Sequence, residues 1–220
     1  MEQKQKVFKW LSVGFLSVGF LVYVVYLFCR KPSGLSGTEY SHIGWFIVDV
    51  FMIGGSLLGL LMPDKFRKVG GFCIVGLSFA NLVMSAVEGT GSIFSVNNPN
   101  ITNAFPLWVE FFAGLVSMIA IACIVVSLAA PKTAKILGPI AAIAFVISGL
   151  LLLAEGIDVF VDPNQKWAYG INDIAVSLII LGLAFGLAVY AFLIKPGFGE
   201  KKTTPNASEQ SESKTKKTVE

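Results

Sequence analysis

The stretch GWFIVDVFMIGGSLLGLLMPDKFRKVGGFCIVGLSFANLVMSAVEG, residues 44–89, holds two apolar runs joined by a short basic segment. A bilayer core of about 30 Å takes roughly 20 helical residues to cross, and each run is near that length. The joining segment, residues 63–69, is short enough to force an antiparallel return. The stretch therefore predicts a transmembrane helical hairpin. It also places an aspartate, Asp49, inside its first apolar run. The pattern recurs at Glu110, in PLWVEFFAGL, and at Asp173, in YGINDIAVSL.

The same reading extends along the whole chain. Of 220 residues, 55% are hydrophobic and only 14% charged, against about a quarter charged in soluble domains, and mean hydropathy is +0.73. Runs at residues 10–28, 44–62, 70–87, 107–129, 137–154 and 169–194 each qualify as spans. Open strands leave backbone groups unsatisfied in lipid, and the short alternating segments of a membrane barrel are absent. The expected fold is all-α: a polytopic membrane protein with six transmembrane helices. Residues 1–9 form a short leading segment, and the polar residues 195–220 read as a disordered tail. The first run is longer than a signal-peptide core and lacks an A-x-A-like cleavage site, so it reads as a retained span.

Lysine and arginine set the expected orientation. With the N-terminus inside, all of the 17 except Arg30, Lys31 and Lys166 fall on the cytoplasmic side. Both termini are then cytoplasmic, and the net charge of +3 reflects this asymmetry and the tail, not nucleic-acid binding. The three cysteines, Cys29, Cys73 and Cys123, form no C-x-x-C and read as free thiols in apolar surroundings. Trp10, Trp45, Trp108, Trp167 and Tyr169 stand at span edges, as interfacial aromatics do.

A weak repeat links two hairpins. Pro63, Arg67, Gly70 and Glu88–Gly89 are matched by Pro131, Lys135, Gly138 and Glu155–Gly156 at nearly equal spacings. Such a pseudo-repeat carries architecture more than activity. Gly55 and Gly59, and Gly182 and Gly186, have the small-xxx-small spacing that lets helices approach closely.

Three candidate acids lie a few residues below the expected starts of their spans: Asp49, Glu110 and Asp173. At 1.5 Å per residue this puts them roughly 5–9 Å deep, in one layer. Glu88 and Glu155 mark the ends of the third and fifth spans. Below the layer, Ser56, Ser117 and Ser177 return to the acid-bearing helix faces at spacings of seven, seven and four. Ser78, Asn81, Ser85 and Glu88 make a stripe along the third span. Two readings follow: hydrogen bonds that tie helices together, or a polar path under an acidic vestibule that attracts cations.

Enzyme chemistry finds little support. One histidine, His42, and three scattered cysteines make no metal cluster, and no P-loop, dinucleotide fingerprint or redox dithiol is present. The expectation is a non-enzyme without catalytic, metal or cofactor residues. Asn100 heads a glycosylation sequon on the expected outer side. The leading function is a scaffold or small subunit of a membrane complex, in contact with the lipid bilayer and with a membrane-protein partner or its own copies. The alternative is a cation-selective channel or facilitator.

Overall fold

The structure, a computed structural model, describes residues 3–29, 37–95, 105–162 and 167–193. Six helices follow in order: α1 Gln3–Cys29, α2 Gly37–Leu61, α3 Pro63–Ser95, α4 Phe105–Ala129, α5 Ala134–Val161 and α6 Trp167–Leu193. A single 3-10 turn, Pro131–Thr133, precedes α5. No strand occurs among the described residues. Asn100 of the sequon, the basic residues Arg30, Lys31 and Lys166, and the tail at 195–220 lie outside the described residues.

Among the described residues, five helices are long and apolar enough to cross a bilayer. In α2 the apolar part is shorter, Phe46–Leu61, about 24 Å of helix. Its first turns, the polar GTEYSH, still continue the same helix. The segment 63–69 also proves helical, so only Met62 separates α2 from α3. Proline explains this: its missing N–H is no loss in a first helical turn, and its fixed φ suits a helix start. Asp64 adds a carboxylate where the helix dipole favours one.

Each helix packs on the next, from α2 through α3, α4 and α5 to α6, and α1 closes back onto α6. α6 is the central element, with 72% of its span buried against 28–39% in the other long spans. It touches α1, α5 and also α3. By contrast α1 and α2 barely meet, which leaves a seam between them floored by α3 and α6.

Without a hydrophobic drive between helices in lipid, close backbone approach holds such a bundle together. Both small-xxx-small pairs serve this purpose. Gly55 faces the Cys73 thiol, and Gly59 meets Gly70 backbone to backbone. Gly182 receives Leu16, and Gly186 lies on Ser12 and Ile74. The Ser12 hydroxyl adds a 2.6 Å hydrogen bond to the carbonyl of Gly182. Leu16, Ile74, Phe145, Leu183 and neighbours form one continuous apolar core around α6.

Candidate functional site

The four acids Glu88, Glu110, Glu155 and Asp173 gather at the end of the bundle away from the basic turns. Each lies within electrostatic range of the other three. Two glycines bring them together. Gly89 follows Glu88 and lies on the backbone of Glu110 and Gly114; Gly156 follows Glu155 and lies on Asp173 and Ile174. The Glu–Gly pairs of the sequence repeat thus perform the same packing, α3 on α4 and α5 on α6. The Ser92 hydroxyl donates to the Glu110 carboxylate from α3, and the carboxyls of Glu110 and Glu155 are hydrogen-bonded to each other. Below them Ser117 of α4 and Ser148 of α5 share a 3.0 Å hydrogen bond.

Asp49 stands apart. Met52 meets Gly76 and Gly55 meets Cys73; stepping back along this antiparallel pair sets Asp49 opposite Phe79 and Ala80, beside Asn81. Asn81 is seven residues, about 10 Å of helix, below Glu88. Asp49 is therefore deeper than the acidic layer in which the sequence places it. The reason is the extra helix from Gly37: the start of the apolar run is not the start of α2.

A cavity of about 290 Å³ opens along the seam between α1 and α2. It has two polar tiers. Glu88, Asn172 and Ser85 line the upper one, Asp49 and Asn81 the lower, with Tyr23 of α1 along one wall. Leu77, Met84, Leu152, Val176 and Ile180 supply apolar wall between and below. No lysine, arginine or histidine lines it among the described residues. The Asn81 amide N–H donates 2.9 Å to its own helix, at Leu77, so its amide oxygen is the acceptor it can offer. The Ser85 hydroxyl is buried with no hydrogen-bond partner.

The remaining candidates divide by partner. Ser56 and Ser177 donate to the carbonyls of Met52 and Asp173 in their own helices, Ser117 ties α4 to α5, and Ser78 has no partner for its buried hydroxyl. Asn172 and Tyr23 were not singled out by sequence. Asn172 stood beside the more conspicuous Asp173, and its 3.3 Å hydrogen bond to that carboxylate keeps the two together. Tyr23 gave one signal: a phenol well inside the first apolar run. No three His, Cys, Asp or Glu side chains among the described residues stand close enough to hold a metal ion.

Composition, six helices and their apolar lengths define a polytopic helical membrane protein. No protein-family model, curated protein or solved structure matches the chain.

Proposed function

We propose that this membrane protein binds small cations in the seam cavity and passes them across the bilayer as a facilitator, with Asp49 as the binding carboxylate. The observation that carries this reading is the setting of Asp49: deep in the bundle, facing an interhelical cavity that no basic side chain lines among the described residues. An ionisable residue at such depth is costly, and its usual compensation is a functional partner. Asn81 supplies a neutral acceptor at the same level, and Glu88 sets a second negative charge above it.

The wall chemistry favours an organic ammonium over a bare metal ion. One carboxylate near an aromatic ring and an apolar wall suits a charged head with a hydrocarbon body. By the positive-inside rule the acidic end faces away from the cytoplasm, so the cavity would fill from outside. Below it Leu16, Ile53, Ile74 and Leu183 are buried together in one apolar cluster, which suits a carrier that changes shape better than an open pore.

The test is uptake of Na⁺, K⁺, methylammonium and choline into proteoliposomes holding the purified chain, beside Asp49→Asn. Uptake of an ammonium compound that disappears in a folded Asp49→Asn variant supports the facilitator. Silence across the panel overturns it and returns the chain to the assembly reading, in which a co-purifying membrane partner is expected.

A further inference from the structure

The seam cavity is longer than one ammonium group needs. Its lower tier, Asp49 and Asn81, and its upper tier, Ser85, Glu88 and Asn172, are two levels of one space of about 290 Å³. Along α3, Ser85 and Glu88 stand about 6 and 10 Å of helix above Asn81. Met84 falls between the tiers on α3, and Val176 lies one turn below Asn172 on α6, so the wall that joins the two levels is apolar.

The Ser85 hydroxyl marks the upper tier as a site. A serine inside a helix commonly donates to the carbonyl one turn back, as Ser56, Ser92 and Ser177 do here. Ser85 does not. The residue is 5% exposed, lines the cavity, and its hydroxyl has no hydrogen-bond partner. A buried polar group left unpaired is unfavourable, so a group that bonds it belongs in the cavity. Asn172 donates its amide N–H to Asp173, which leaves the amide oxygen to accept. Glu88, Ser85 and Asn172 thus supply three acceptors, the number of N–H groups on a primary ammonium. In the lower tier Asp49 and the Asn81 oxygen offer the same kind of contact, beside the Tyr23 ring.

A water would satisfy Ser85 and leave two carboxylates in a space that no basic side chain lines among the described residues. A single ammonium fills one tier and leaves the other unmet. Metal ions fit worse: hard cations such as calcium take about six or more oxygens, and no three acidic, histidine or cysteine side chains gather to hold one among the described residues. We propose that the cavity takes an aliphatic diamine, with one ammonium on Asp49 and Asn81, the other on Glu88, Ser85 and Asn172, and the methylenes against Met84 and Val176. The assignment rests on the reading of the cavity as a cation site and names its substrate class. The separation of the tiers matches an extended butyl to hexyl chain, so putrescine and cadaverine reach both levels and ethylenediamine is too short.

Binding to the full chain in detergent is measured by calorimetry and melting temperature with putrescine, cadaverine, ethylenediamine and butylamine, which has the body of putrescine and one ammonium. Putrescine and cadaverine are expected to bind at least about tenfold tighter than the other two, the factor a charge-assisted hydrogen bond supplies. Glu88→Gln should remove most of that preference, and Ser85→Ala should lower it by a smaller factor. Melting temperature without ligand reports folding, and Ser85→Ala decides if Glu88→Gln does not fold. Glu155→Gln, at a carboxyl of the same end that does not line the cavity, should leave the preference intact. Equal binding of butylamine and putrescine, with methylammonium uptake present, would overturn the diamine and leave the facilitator standing. A preference that survives Glu88→Gln, or that Glu155→Gln lowers as much, would report the field of the acidic end and overturn the two-tier site. No binding of any amine would overturn both readings.

Discussion

Gly89 of α3 lies so close to Glu110 of α4 that a Cβ on the glycine would stand 2.5 Å from the glutamate's carbonyl oxygen. At Gly156 a Cβ would come 3.1 Å from Asp173 and 2.9 Å from the backbone of Ile174. In both places the obstacle is backbone, which cannot swing aside as a side-chain tip can. The acids therefore meet because the residue after each glutamate has no side chain.

Gly89→Leu and Gly156→Leu should each push two helices apart. Overpacking of this kind costs about 1–3 kcal/mol, read as a lower melting temperature in detergent. Gly14→Leu is the control, because nothing lies within 4 Å of a Cβ there. If all three variants melt alike, the glycine contacts do not hold the acidic end together.

Glu155 is only 9% exposed and bonded to Glu110, so two uncharged replacements at this position should behave differently. Glu155→Gln retains a group that can donate to the Glu110 carboxylate and should melt close to wild type. Glu155→Leu strips Glu110 of that partner and should cost about 1–3 kcal/mol. Equal melting of the two variants would mean that the carboxyl contact contributes nothing to stability.

The pair Ser117 and Ser148 permits a cleaner measurement of what one interhelical hydrogen bond is worth. Both side chains are fully buried, and each has the other as its hydrogen-bond partner. A double-mutant cycle with Ser117→Ala and Ser148→Ala should give a coupling of about 0.6 kcal/mol. A coupling of zero would leave this contact as packing only.

Much of this architecture is legible in the sequence, for reasons that differ by element. The hairpins α2–α3 and α4–α5 follow from apolar length and short basic connections, because lipid permits few alternatives to a helix. The gathering of Glu88, Glu110, Glu155 and Asp173 follows from counting residues to the span ends. The depth of Asp49 does not follow, because the polar residues before Trp45 carry on the helix and hydropathy cannot see that. The cavity is also hidden, since it exists only because α1 packs on α6 and leaves α2 largely alone. Tyr190 is hidden for a related reason: nothing in the sequence sets its ring over the Gly59–Gly70 crossing.

The depth and openness of the Asp49 site can be measured without knowing the ligand. In a background of Cys29→Ser, Cys73→Ala and Cys123→Ala, cysteine is placed at Asp49 or at Ser56. Asp49 lines the cavity; Ser56, two turns nearer the basic end, is fully buried and bonded to its own helix. A small thiol reagent added from the acidic side should modify the first position and leave the second intact. Because Glu88 remains above the site, a cationic methanethiosulfonate should react with the cysteine at Asp49 at least about tenfold faster than an anionic one of equal size. Removing that charge with Glu88→Gln should shrink the difference. Equal rates for both reagents would mean that the upper tier exerts no field on what enters. No reaction at Asp49→Cys would close the cavity to solvent, and with it the route by which a cation could reach the lower tier.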